Sequence, residues 1–409
     1  MDDTGQSTNI PRIWLQDSIN SGIKLGLDNC SEMLKRINNP QKNFPSIHVA
    51  GTNGKGSLCA HLSAIGSKNE VLIGFFSSPH LITVEERIRI DGRPVSVELF
   101  EKCLLSVYKA SLMKPILQPT FFEITFLTSL LVFSEAEVDV AIIETGLGGR
   151  LDCTRLVEAE VCAITTISKD HSEILGDTLV KIASEKAAIY RQNKPLFSLY
   201  HPDQNVREVF IKTAGRDLIW FNPKSKNAWE ISKEFAIIIA DHLGWSIENY
   251  ELNWLGRSED NITWIPGVRC RVSAAHNIES IENELNLLED EVVMIIGMSS
   301  KLNLQETLSP FIGREKIVHT IITEPQNSRK PPVTTEEIQN QLKQFNYKKL
   351  EQINNPSEAL LRAEKIAKES NCSVLIIGSI YLVGEIMNYV INRDSLDLYD
   401  MLTIHESLK

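Results

Sequence analysis

Short, continuous apolar runs alternate with longer amphipathic stretches over the first 190 residues or so. The runs at 47–50, 71–76, 138–143 and 161–167 are short, rich in β-branched residues and bounded by turn formers, as strands buried on both faces are. Residues 86–92 alternate apolar and polar like a strand ending in a turn at Gly92. Helical spacing predicts helices at 57–66, 97–113, 122–136 and 178–191. One or two more fall within 12–37, with Leu25, Leu27, Met33, Leu34 and Ile37 as apolar points and Asn38-Asn39-Pro40 as the stop. Strands alternating with helices predict an α/β fold with a parallel sheet covered on both faces. Residues 192–265 are less regular, with one helix predicted at 227–243. Trp264-Ile265-Pro266-Gly267 punctuates the chain and sets the expected boundary between domains 1–265 and 266–409. Beyond it the α/β rhythm restarts, with strands at 292–297, 317–323 and 374–378 and helices at 276–288, 303–312, 334–344 and 356–369.

Composition narrows the class. A chain of 409 residues exceeds one ordinary domain. At 43% hydrophobic and 23% charged it can bury a sizeable core. A net charge of −11 argues against broad binding to nucleic acid or anionic membranes, so an anionic substrate needs local positive charge. The seven cysteines are scattered with no C-x-x-C pair, which suggests neither a zinc site nor a disulfide framework. The first residues lack a basic-then-apolar signal, and no apolar run approaches the length of a membrane span, so a cytoplasmic protein is expected.

Candidate chemistry gathers where predicted strands end. Gly51-Thr52-Asn53-Gly54-Lys55-Gly56-Ser57 follows the first strand and opens a helix. Its glycines let the backbone turn N–H groups towards an anion, and the helix points its positive end at the same place. Lys55 adds a charge and Ser57 a hydroxyl suited to Mg²⁺. A packed β-α turn with no ligand is the bland alternative. Glu144 ends a buried strand, where a carboxylate can place Mg²⁺ beside a nucleotide or simply face solvent. Asp170-His171 also follows a strand and suits either a metal or phosphate role or a purely structural one. Arg150 and Asp152 close a glycine loop, either as a polar-substrate site or as a local ion pair. Lys186, mid-helix after Glu185, reads on physics alone as a solvated charge. His276-Asn277 opens a helix and Gly378-Ser379 follows a strand, and both suit either a cleft or a cap and a turn.

In order along the chain, these motifs resemble the folate–glutamate ligases, dihydrofolate synthase and folylpolyglutamate synthase, of the Mur ligase superfamily. The resemblance runs from Asn38-Asn39-Pro40-Gln41 through the loop at 47–57, Ser77-Ser78-Pro79-His80-Leu81, Glu86-Arg87-Ile88, Phe121-Phe122-Glu123-Ile124-Thr125 and Glu144–Asp152. It continues through 170–178, Ala183-Ser184-Glu185-Lys186-Ala187-Ala188-Ile189 and, near the end, 378–385. It implies a P-loop parallel-sheet ATP-binding domain followed by a smaller Rossmann-like domain, with the active site in the interdomain cleft. It also implies an ATP- and Mg²⁺-dependent ligase that joins L-glutamate to dihydropteroate or a reduced folate through an acyl phosphate. By this resemblance Gly51, Thr52, Asn53, Gly54, Lys55, Gly56 and Ser57 hold the nucleotide phosphates, with Arg269, His276 and Asn277 contributing from the second domain. Ser57 and Glu144 hold one Mg²⁺, and His171 with a carbamylated Lys186 holds a second. Ser78, Pro79, His80, Phe122 and Asp152 face the folate-type substrate. A monomer with no nucleic-acid or membrane partner is expected.

The second domain departs from the family pattern. Pro266-Gly267 is followed by Val268, so Arg269 or Arg271 stands in for the usual arginine. Ser273 occupies the place of an acidic residue, Lys301-Leu302-Asn303 replaces a lysine–aspartate pair, and Arg155 stands where an asparagine is common. Two other readings follow: a nucleotide-binding protein without ligase turnover, and a Mur-type ligase for a different carboxylate acceptor.

Overall fold

The computed structural model describes residues 9–22, 24–257, 262–265, 267–300, 303–328, 331–347 and 349–406. Two compact units emerge: Met1–Leu252 with Thr403–Lys409, and Asn253–Leu402.

The first unit runs α1 (Asn9–Asp17), α2 (Asp28–Arg36), β1 (Ser46–Ala50), α3 (Lys55–Lys68), β2 (Ile73–Phe76), β3 (Ile88–Ile90), β4 (Arg93–Pro94), α4 (Val97–Ser111), α5 (Phe121–Glu135) and β5 (Val140–Glu144). It continues with β6 (Ala159–Ile164), α6 (Ser172–Leu175), α7 (Leu179–Ala187), β7 (Leu196–Leu199), α8 (Gln204–Ala214), β8 (Leu218–Phe221) and α9 (Ala228–His242). Its sheet has the order β4-β3-β2-β5-β1-β6-β7-β8. From β2 to β8 the pairings are parallel, and β3 and β4 add an antiparallel edge. β1 lies between β5 and β6, with Val49 opposite Glu144 and Ala50 opposite Ile164. Its apolar run is buried on both faces, as central parallel strands must be.

Some elements differ from the pattern-based expectation. The stretch predicted as irregular contributes β7, α8 and β8, whose four-residue strands are too short for a periodic signal and, at β8, half-buried. Glu86 and Arg87, expected in a strand, sit in a 3-10 turn, Val84–Arg87. There the Glu86 carboxylate accepts from the Thr83 N–H and closes a capping box. The helix expected at 178–191 stops at Ala187, and strand β6 ends at Ile164, which frees Thr165–Ser168 to bond elsewhere.

The second unit contains β9 (Ile262–Ile265), β10 (Val268–Val272), α10 (Ile278–Asn286), β11 (Val292–Ile296), α11 (Leu304–Leu308), β12 (Ile317–Ile322) and α12 (Thr335–Gln344). β13 (Leu350–Gln352), α13 (Pro356–Ser370), β14 (Ser373–Ile377), α14 (Ile380–Arg393) and α15 (Leu398–Leu402) complete it. Its sheet order is β13-β12-β11-β14-β10-β9, parallel except for β9. The boundary expected at 265/266 falls inside the β9–β10 hairpin, and the compact unit begins at Asn253. Pro266 itself lies outside the described residues. The chain end rejoins the first unit. Ile404 N–H donates to Gly92 O (3.0 Å), and His405 Nε2 lies 2.9 Å from Ser63 Oγ on α3.

Candidate active site

The carboxyl ends of β1, β5 and β6 define the edge where ligands collect in such sheets. The loop 51–54 leaves β1 there and enters α3, with Gly54 as its cap at φ 80°. Gly51 has φ +151°, and a Cβ on it would lie 1.8 Å from Thr165 Oγ1, so no side chain fits. The chain after β6 is stitched to this loop. Thr52 N–H donates to Thr166 O (2.7 Å), Asn53 N–H to Thr166 Oγ1 (3.0 Å), and Ser168 N–H to Thr52 Oγ1 (3.1 Å).

Two lysines converge on one carbonyl. Lys55 Nζ donates to Gly51 O (3.2 Å) and Thr52 O (3.1 Å), and Lys186 Nζ donates to Gly51 O (2.6 Å). Lys186, read from sequence as solvated, is 4% exposed. Burial, and then the Lys55 charge, press its pKa down to about 7 against the opposing pull of Asp170 and Asp152. Among the described residues neither ammonium is in an ion pair. Two cations sharing one acceptor repel, by roughly 4 kcal/mol for unit charges about 4 Å apart at an effective dielectric of 20. An anion between them reverses that sign, so this donor set fits phosphate oxygens.

Glu144 is 2% exposed, and its Oε2 accepts the Ser78 N–H (3.1 Å). The Ser77–His80 loop therefore docks onto the strand-end carboxylate beside the phosphate loop. His80 Nδ1 accepts from Arg87 Nε (2.7 Å), and the Arg87 guanidinium lies 5.0 Å from the Phe121 ring centroid. Phe122 packs on Gly146, where an added Cβ would come within 2.5 Å of the ring. Ser57 and Gly56 begin the buried α3, and Pro79 is exposed on its loop. Among the described residues no group of three or more His, Cys, Asp and Glu is arranged to hold a metal ion by itself. Mg²⁺ held partly by phosphates and water needs only one or two protein oxygens, so Ser57 and Glu144 remain a fitting pair.

His171 follows the stitched loop in a left-handed conformation (φ 50°) at the start of α6. Its ring is 48% exposed, 4.0 Å from Asp170 and 3.9 Å from Glu173. It shares the edge with Lys186 but no hydrogen bond joins them.

Asp152 organises its own loop. Buried at 5% exposure, it accepts Leu147 N–H (2.7 Å) on Oδ2 and Thr154 N–H (3.0 Å) on Oδ1, and the Thr154 hydroxyl also donates to Oδ1. Desolvation raises its pKa, while these bonds oppose the rise. The loop in turn grips the end of α7. Arg150 N–H donates to Glu185 O (2.9 Å), Arg150 Nε to Glu185 Oε1 (2.9 Å), and Arg155 Nε to Ala188 O (2.7 Å). A Cβ on Gly149 would stand 2.8 Å from Glu185 O and 3.1 Å from Lys186 O. Sequence reasoning missed His48 and Thr154, which are tied to this assembly: His48 Nε2 lies 2.9 Å from Thr154 Oγ1. The available signal was a histidine inside an otherwise apolar strand.

In the second unit, Arg269 is exposed on β10, whereas Arg271 pairs with Glu284. Ser273 Oγ donates to the same carboxylate (2.8 Å), so the position where an acid was expected instead binds one. Asn277 caps α10 by accepting Ser280 N–H (3.0 Å), and His276 Nδ1 donates to Ala274 O (2.9 Å) from an exposed ring. Ser379 caps α14 by accepting Tyr381 N–H (3.2 Å). Asn303 caps α11, while Lys301 and Leu302 lie outside the described residues. No described helix is long and apolar enough to cross a membrane.

Comparison with known proteins follows these two units. Residues 49–257 match the model of the Mur ligase middle domain, and residues 261–389 that of the dihydrofolate synthetase C-terminal domain. The chain is 38% identical over 195 residues to a Bacillus subtilis dihydrofolate synthase/folylpolyglutamate synthase (45% of this chain, 44% of that one). It is 38% identical over 176 residues to a Saccharomyces cerevisiae dihydrofolate synthetase (42% and 41%), and 41% identical over 162 residues to human mitochondrial folylpolyglutamate synthase (38% and 28%). These alignments span less than half of each relative's length. The fold is similar to Mycobacterium tuberculosis folylpolyglutamate synthase complexed with ADP and AMPPCP (TM-score 0.81, 20% identity, 94% and 99% covered). It is likewise similar to a Yersinia pestis bifunctional folylpolyglutamate synthase/dihydrofolate synthase (TM-score 0.79, 24% identity, 96% and 100% covered).

Proposed function

The chain belongs to the Mur ligase family, in its folylpolyglutamate synthase/dihydrofolate synthase branch, and from that premise we propose that it is an ATP-dependent ligase adding L-glutamate to dihydropteroate, to a reduced folate, or to both. The observation that carries this reading is the convergence of Lys55 and Lys186 on Gly51 O beside the buried Glu144 carboxylate. A carboxylate is a poor electrophile until one of its oxygens becomes a leaving group. An acceptor carboxylate oxygen bonds the γ-phosphorus of ATP as the bond to the β-phosphate oxygen breaks, which releases ADP. The glutamate nitrogen then bonds the acyl carbon, loses its proton, and phosphate departs with the C–O electron pair.

Lys55 and the amides at the start of α3, 54–57, are the candidates to hold the β- and γ-phosphates, since the amides of Thr52 and Asn53 already donate to Thr166, and the charge they bring offsets that of the migrating phosphoryl group. Ser57 and Glu144 supply oxygens for Mg²⁺, which when bound adds positive charge against the phosphates. With a pKa of about 7, Lys186 is about half unprotonated at neutral pH, against roughly 0.03% for an ordinary lysine. Its neutral amine can add to CO₂, forming a C–N bond and releasing one proton, which yields an anionic carbamate suited with His171 to a second Mg²⁺. The resulting negative charge also removes the repulsion with Lys55. Ser78, Pro79, His80, Phe122 and the loop of Asp152 line the acceptor side, and Arg269, His276 and Asn277 are the second unit's candidates for the nucleotide. The reading carries a cytoplasmic monomer acting on small molecules.

The test is ADP release from the purified chain given MgATP, L-glutamate and either dihydropteroate or tetrahydrofolate. Acceptor-dependent ADP that Lys55→Ala abolishes is expected. No ADP above background with either acceptor rejects the reading.

A further inference from the structure

His48 occupies the middle of β1, fully buried, with Ile143 of β5 and Cys162 of β6 opposite it. Its Nδ1 has no hydrogen-bond partner among the described residues. A leucine or valine would fill a central strand without stranding a buried nitrogen, so the ring carries a cost that packing alone does not explain. Its other nitrogen is used. The Asp152 carboxylate only accepts, so the single hydroxyl hydrogen of Thr154 goes to Oδ1, and His48 Nε2 must donate to Thr154 Oγ1. Asp152 then ties Leu147 and Thr154 into one loop, and that loop bonds the last turn of α7 at Glu185 and its C-cap at Ala188, with Gly149 packed closely on the Glu185 and Lys186 carbonyls. From α7, Lys186 returns to Gly51, three residues beyond His48 at the start of the loop that leaves the same strand. The contacts form a closed ring: strand, hydroxyl, carboxylate, loop, helix, lysine and strand again.

We propose that His48 and Thr154 are positioning residues that set Lys186 against the phosphate loop through Asp152 and the loop 146–155. The inference deepens the ligase reading and rests on it for its kinetic consequence only. Neither residue needs to touch substrate. A ring of short bonds holds its members within a few tenths of an ångström, and a small displacement of Lys186 costs turnover more than nucleotide binding.

The experiment compares Thr154→Val, Thr154→Ser, His48→Leu and His48→Gln. Thr154→Val keeps the side-chain shape and loses the hydroxyl. Thr154→Ser and His48→Gln keep a hydroxyl and an N–H at the bonding atoms. Folding is checked by melting temperature and circular dichroism. The expected result is a 10- to 100-fold fall in kcat for Thr154→Val and His48→Leu, with KM for ATP within about twofold of wild type. Recovery is expected in Thr154→Ser and His48→Gln, and the double variant His48→Leu/Thr154→Val should be no worse than the poorer single one. Deuterium exchange gives a readout independent of turnover. Amides of 146–152 and 179–188 should exchange faster in Thr154→Val and not in Thr154→Ser. Unchanged exchange in folded Thr154→Val overturns the proposal whether or not the wild type is a ligase. So does a kcat loss that tracks the folded fraction or persists equally in Thr154→Ser. A wild type with altered exchange in Thr154→Val but no turnover rejects the ligase reading and leaves the ring standing.

Discussion

Lys186→Met in the nucleotide-free protein should raise stability while abolishing turnover. The folded pKa of about 7, against 10.5 for an exposed lysine, means that the buried ammonium opposes folding by roughly 5 kcal/mol when fully charged. The sign follows from proton counting. Between pH 7 and 10.5 the unfolded chain binds the proton that the folded chain has released, so stability rises with pH across that window. The penalty is fully present below pH 7 and gone above 10.5. Methionine keeps most of the apolar stem and loses one hydrogen bond to Gly51 O, worth about 1–1.5 kcal/mol, while Lys55 still donates to that carbonyl. The net gain at pH 6 is about 3 kcal/mol, which for a unit of this size raises the melting temperature by roughly 6 °C. Near pH 10 the gain should shrink to about zero, because the folded lysine is then neutral and the remaining penalty of about 0.8 kcal/mol no longer exceeds the lost hydrogen bond. The assay is thermal melting of both proteins in degassed, bicarbonate-free buffer at pH 6, 8 and 10, without nucleotide. A variant that melts at or below wild type at pH 6, or a difference that does not narrow with pH, refutes the reasoning.

Other outcomes follow from the same contacts. Gly149→Ala pushes a methyl group into the Glu185 and Lys186 carbonyls, which cannot move independently of α7, so a loss of about 1–3 kcal/mol by denaturant titration is expected. Arg155→Ala removes the cation bonded to Ala188 O at the end of α7 and should cost about 0.5–1 kcal/mol, or roughly 1–3 °C in melting temperature. Asp152→Asn puts an amide hydrogen against Leu147 N–H or Thr154 N–H, and should lower stability by about 2 kcal/mol in thermal melts as well as altering acceptor KM. A change in KM with no loss of stability would instead assign Asp152 to the acceptor alone.

Much of the arrangement was legible along the chain because it is local. Continuous β-branched runs specify buried parallel strands, and the spacing of glycines, Lys55 and Ser57 specifies a turn that faces an anion, through backbone dihedrals and charge alone. The ordered motifs from Asn38 to Thr178 also pointed to the family. Two short strands at 196–199 and 218–221 escaped because four residues hold too little pattern, and Glu86 left its expected strand for a cap three residues away. The roles of individual charges were decided only by the fold. Lys186 reads as a solvated helix charge, yet it meets Gly51 across 135 residues of sequence, and that meeting, with burial, moves its pKa. Asp152 reads as a ligand for substrate, yet the turn of its own loop aims backbone N–H groups at both of its oxygens. His48 carries no reading of its own within the predicted strand 47–50, yet it faces Thr154 because β6 pairs beside β1. Periodicity and propensity are properties of neighbours in the chain. Desolvation and hydrogen-bond partnership belong to neighbours in space, which the sheet order alone brings together.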